Sequence, residues 1–117
     1  EIFDLGCDGV VVSAHGGRNL DSAVLPIDVL PRIRDAVGTH KTLLADSGVR
    51  RGSDAAKLLA AGADGVFLGR APLYGLGAGG ADGVVDMIEQ LRDELRLFLG
   101  FAGAQNVAAL RQSEWIG

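Results

Sequence analysis

Cysteine is nearly absent from this chain: Cys7 stands alone among 117 residues. A single thiol excludes an internal disulfide, and a reducing cytoplasm is the expected setting. Basic charge is scarce as well. Eleven Lys and Arg against fifteen Asp and Glu leave a net charge of −4, which argues against general binding to nucleic acid or to a membrane surface. No run of about eighteen apolar residues occurs, and no signal peptide is recognisable, so these residues contain no candidate spanning helix. Low-complexity tracts are missing too. The 18 glycines sit at the ends of apolar runs, where they act as punctuation. What remains is 48% hydrophobic residues, enough for one modest core.

Three short apolar runs organise the chain: Val10–Val12, Thr42–Ala45 and Val66–Leu68. None alternates with polar residues, which is the pattern of strands covered on both faces, as in a parallel sheet. A helix is predicted between the first two, over about Ile27 to Val37, with Pro31 setting its first turn apart. Another is predicted from near Ser53, closed by Gly62. After the third run come a short helical turn (Pro72 to Leu76), a glycine break "GAGG", and a long helix over about Ala81 to Leu99. There Val84, Ile88, Leu91, Leu95 and Phe98 form one apolar stripe facing a core. A last short helix is predicted over Asn106 to Arg111. The opening "EIFDLG" reads as a helix end capped by Gly6, as though the chain were part of a longer polypeptide.

The order is therefore β-α-β-α-β-α. "GCDGVVVS" (Gly6 to Ser13) and "GADGVFLG" (Gly62 to Gly69) are near copies two units apart, pointing to a (β/α)8 barrel or a doubly wound sheet. A whole barrel takes roughly 250 residues, so three of its units fit here and cannot close. An independent three-stranded α/β domain is the weaker alternative, because it leaves sheet edges exposed.

Ligands in such folds gather at the carboxyl ends of strands, and all three unusual segments lie there. "DSGVRRGS" (Asp46 to Ser53) offers Gly48 for close backbone approach, Arg50 and Arg51 as charge partners, and a helix N-terminus whose N–H groups can meet an anion. "GRAP" adds Gly69 and Arg70 with a second helix start. Either loop alone reads more readily as a tight turn with solvated arginines. Together they match the phosphate site that barrels build after their seventh and eighth strands, making these runs strands six, seven and eight.

"SAHGGR" (Ser13 to Arg18) carries the chemistry. His15 can accept a proton, Arg18 presents a planar fork suited to a carboxylate, and Gly16 and Gly17 let the backbone turn both toward one pocket. Spacing alone equally allows a structural histidine and a surface arginine. His40, in the polar lead-in "GTHK" at the opposite end, receives no function. Asp21 is expected to brace the loop through Arg18; Asp46 either accepts from ligand hydroxyls or holds its turn.

On these residues the chain resembles the FMN-dependent 2-hydroxy acid dehydrogenase/oxidase family, which includes flavin-type L-lactate dehydrogenase, glycolate oxidase and mandelate dehydrogenase. The motifs are "GVVVSAHGGRNLD", "LLADSGVRRGSDAAKLLAAGADGVFLGR" and "LYGL", and the likeness runs along essentially the whole chain. It implies an α/β fold made of the C-terminal three βα units (strands 6–8) of a (β/α)8 TIM barrel, with residues 1–117 as the C-terminal portion of one FMN-binding domain. It implies oxidation of an L-2-hydroxy acid to the 2-oxo acid. His15 would be the base and Arg18 the carboxylate ligand. Ser13 would lie beside the flavin, and Asp46, Ser47, Gly48, Val49, Arg50, Gly69 and Arg70 would hold the FMN ribityl phosphate. The family's usual Ser-Asn-His-Gly is Ser-Ala-His-Gly here, with Ala14 in place of the amide. The family's flavin-ring lysine, its carboxylate-binding tyrosine and the acid behind its histidine have no matching position. Activity is accordingly expected only with the remaining N-terminal part of the barrel. A homo-oligomer, tetrameric or larger, in the cytoplasm or membrane-associated through a segment not in this chain, completes the expectation. Competing readings are another FMN-binding barrel, of the type 2 isopentenyl-diphosphate isomerase or inosine-monophosphate dehydrogenase kind, and a non-catalytic phosphate-ligand module.

Overall fold

A computed structural model describes residues 2–112. Three parallel strands, β1 (Gly9–Val12), β2 (Thr42–Ala45) and β3 (Gly65–Val66), lie side by side in chain order. Between them run the helices α1 (Pro26–Val37) and α2 (Gly52–Ala60). After β3 come α3 (Ala71–Phe101) and the single turn α4 (Val107–Leu110). Before β1, Phe3–Leu5 form a 3-10 turn closed by Gly6 at φ +88, so the predicted glycine cap is present on a tighter turn.

Each helix start and stop has a local cause. Pro26 opens α1 with its preset φ, and Gly38 ends it in a left-handed conformation, φ +70. Pro31 does not set off a separate turn: α1 runs through it. As the sixth residue of α1 it lies past the first turn, and its missing N–H forfeits one intrahelical bond without ending the helix. In α3 the break is confined to Gly79 (φ −150, ψ 22) and Gly80 (φ 61, ψ −141), where the chain folds back on itself. The backbones of Gly75 and Gly83 then touch, leaving no room for a side chain at either position.

Strand alternation gives the sheet two unlike faces. Val10, Val12, Leu43, Ala45, Val66 and Leu68 pack with Leu30, Ala55, Leu58 and Ala63 beneath the helices. Strands in sequential order place successive crossovers on one face. The other face, where Val11, Leu44 and Gly65 stand in register, is open: Val11 is 50% exposed and Phe67 51%. Covering on both faces therefore fails among the described residues, and only one face is covered by this chain's helices.

A second apolar cluster joins Ala56 of α2 to Ala104 and Leu110, with Leu95, Phe98 and Leu99 of α3 against it. Small side chains on α2 allow close approach, and Gly52 lies against the backbone of Glu94 and Leu95. The predicted stripe on α3 reaches a core from Leu91 onward, whereas Ile88 is 49% exposed. Asn106 starts α4 by accepting the N–H of Ala109 at 2.9 Å.

Polar bonds tie the sheet at its N-terminal end. Asp64 Oδ2 accepts from Leu43 N (2.9 Å) and Arg34 Nη2 (2.7 Å), and its Oδ1 accepts from Arg111 Nη2 (2.9 Å). Arg34 also donates to the carbonyls of Gly62, Gly38 and Lys41. Burial pushes the Asp64 carboxyl up, but the Leu43 amide and the two guanidinium groups outweigh it and hold it below its ordinary value.

Candidate functional site

At the opposite end of the sheet, the segments leaving β1, β2 and β3 surround one open cavity of about 710 Å³. His15 and Arg18 line it from the first segment, Asp46, Ser47, Gly48, Val49 and Arg50 from the second, and Gly69 and Arg70 from the third. The structure thus brings together nine of the ten residues to which the family resemblance assigns a role. The exception is Ser13, which is not part of the lining; its Oγ accepts the N–H of His15 at 3.0 Å.

The loop after β1 makes a left-handed turn. His15 (φ 50), Gly16 (φ 63) and Gly17 (φ 76) follow one another in a region that favours glycine. Two glycines are what this turn requires, and His15 is the residue carried through it under strain. Gly17 N–H donates to Ala14 O at 2.9 Å and Arg18 N–H to His15 O at 3.2 Å, closing the turn. The expected brace between Asp21 and Arg18 is not formed. Asp21 Oδ1 instead lies against Gly17, 3.4 Å from where a Cβ would stand.

The loop after β2 is built differently from expectation in one respect. Three amides leading into α2 are already satisfied: those of Arg50 and Arg51 donate to Asp54 Oδ2, both at 3.0 Å, and that of Gly52 to Glu94 Oε2 at 2.8 Å. The Gly52 amide, helped by Gln90, holds the Glu94 carboxyl below its usual value. Two carboxylates thus occupy the three amides that lead into this helix, and Arg51 does not line the cavity. What the loops do offer lies just before the helices. The backbone N–H groups of Gly48, Val49, Gly69 and Arg70 meet no acceptor among the described residues. A Cβ built on Gly48 or Gly69 would find no atom within 4 Å. Free amides, open glycine backbone and the cations Arg50 and Arg70 suit a phosphate group. Asp46 holds its turn, accepting the Ser47 hydroxyl at 2.7 Å.

Arg70 reaches across to the first loop, its Nη2 3.4 Å from Gly16 O. Tyr74 and Asn19 also line the cavity, and neither was singled out. Tyr74 follows Arg70 by four residues, one helical turn, a spacing that puts both on the same side of α3. Among the described residues no group of three or more potential metal ligands occurs, and no helix is long and apolar enough to cross a membrane.

Comparison with known proteins gives one consistent result. A family model described as FMN-dependent dehydrogenase matches residues 1–116. An L-lactate dehydrogenase of Caulobacter vibrioides is 46% identical, the match covering 94% of this chain and 29% of that protein. An L-lactate oxidase of Lactobacillus jensenii is also 46% identical, with 93% and 27% covered. A solved mandelate oxidase variant with (S)-mandelic acid superposes with a TM-score of 0.88 at 44% identity, covering 93% of this chain and 32% of that one. The chain spans about three-tenths of the length of the curated relatives it matches, and corresponds to their C-terminal part.

Proposed function

The chain belongs to the FMN-dependent dehydrogenase family, and from that premise we propose that it supplies the proton-accepting and phosphate-holding portion of an enzyme that oxidises an L-2-hydroxy acid to the 2-oxo acid. Its three βα units are the C-terminal part of a (β/α)8 barrel, and the working unit includes the rest of that barrel. The observation that carries the reading is the convergence of His15 and Arg18 with Arg50 and Arg70 on one cavity.

FMN, the family's cofactor, fits the donor set described above and supplies the two-electron acceptor when bound. Gly48 and Gly69 let its phosphate approach the backbone, while Arg50 and Arg70 balance the dianion's charge. Arg18 pairs its guanidinium fork with the substrate carboxylate, which fixes the orientation of the hydroxyl-bearing carbon. His15 takes the proton that leaves as the substrate loses two electrons, and the left-handed turn holds its imidazole at the rim to receive it.

The test is anaerobic addition of L-lactate or (S)-mandelate to the intact, FMN-loaded protein carrying this chain. Loss of the oxidised-flavin absorbance is the expected result. Flavin that stays oxidised with every 2-hydroxy acid tried would leave only a phosphate-ligand module.

A further inference from the structure

Ser47 occupies a left-handed backbone conformation, φ 73, immediately before Gly48 at φ 82. Glycine would hold such a position without strain, so a serine there needs a compensating role. Its hydroxyl has one. Oγ accepts the N–H of Ala14 at 3.0 Å and that of Gly16 at 3.2 Å, and donates to Asp46 Oδ1 at 2.7 Å. A hydroxyl has one donor and two acceptor sites, and all three are filled inside the protein. The two amides it receives flank His15 on either side, across 33 and 31 residues of sequence. Ala14 has no polar side chain with which to anchor this loop.

From this we infer that Ser47 is a positioning residue: its side chain pins the turn bearing His15 to the end of β2, with Asp46 orienting the hydroxyl. Its contribution to the reaction then passes through His15, and phosphate binding is left to neighbouring backbone amides and arginines. The inference rests on the proposed role of His15, but its main test does not.

In the intact protein loaded with FMN, hydrogen exchange is read by mass spectrometry on peptides spanning residues 12–18, for the parent, Ser47→Ala and Ser47→Gly. Ser47→Gly removes the hydroxyl and the left-handed strain together, so it remains informative if Ser47→Ala folds poorly. Both variants are expected to exchange the Ala14 and Gly16 amides about tenfold faster, the effect of losing one neutral hydrogen bond. Turnover is expected to fall about tenfold while FMN affinity stays within about threefold. Unchanged exchange at these amides overturns the inference, and so does lost FMN affinity with exchange unaltered. If His15→Ala keeps full activity, the reading of His15 fails separately, whatever the exchange data show.

Discussion

The guanidinium of Arg111 reaches back 47 residues to the carboxylate of Asp64, its Nη2 lying 2.9 Å from Oδ1. The same side chain donates to the carbonyls of Leu59 and Ala63, so one arginine ties the end of the described chain to both α2 and the start of β3. Arg111→Ala is expected to cost about 1–3 kcal/mol, the range for charge-assisted hydrogen bonds at a partly exposed site. Arg111→Lys should recover little, because an ammonium cannot serve three acceptors in a planar fork. Urea unfolding of the three proteins measures this.

Asp64 gives that tie a pH dependence. Its carboxyl lies below the ordinary value in the fold, so unfolding raises its pKa. The stability it contributes is complete above the ordinary carboxylate pKa of about 4 and is lost as pH falls through the lower, folded value. Asp64→Asn should therefore be less stable than the parent at pH 7, with the gap narrowing below about pH 4. A gap that stays constant from neutral to acid pH would contradict the assignment.

Two glycines should behave oppositely. At Gly52 an added methyl meets the backbone of Glu94 and Leu95, atoms that cannot move aside, and Gly52→Ala is expected to lose about 1–3 kcal/mol or more. At Gly69 a methyl meets nothing. Gly69→Ala should hold stability within about 0.5 kcal/mol yet bind FMN at least about tenfold more weakly, because the methyl enters the phosphate cradle. Thermal unfolding and flavin titration separate the two effects.

The proposed chemistry rests on His15 and Arg18. His15→Ala should lower turnover by about 10²–10⁴-fold with FMN still bound. Arg18→Lys should raise the KM for a 2-hydroxy acid strongly, since the bidentate pair is lost. Unchanged KM would remove Arg18 from carboxylate recognition.

The apolar runs and glycine punctuation were enough to read the strand order and the convergence of the three rims. The break in α3 was legible from "GAGG", though not that only Gly79 and Gly80 leave the helix. Three things were not legible. The start of α2 looks wholly open to an anion until Glu94, 42 residues away, is seen taking the Gly52 amide. Val11 looks like a strand residue covered on both faces, because an apolar run does not say which neighbours a given length of chain provides. Ser47 looks like a cofactor contact from its motif, and only the tertiary pairing of two loops reveals where its hydroxyl goes.

Asp64, Arg34 and Arg111 gather their ties under the sheet, at the end away from His15. Foundations and workshop are thus on separate floors. Exchanges at the mouth that spare Ser47 and its bonds to the His15 loop therefore leave the network anchoring the sheet untouched. A library directed at the cavity can be screened for altered ligand preference with the close-packed glycines and the arginine pair under the strands held fixed.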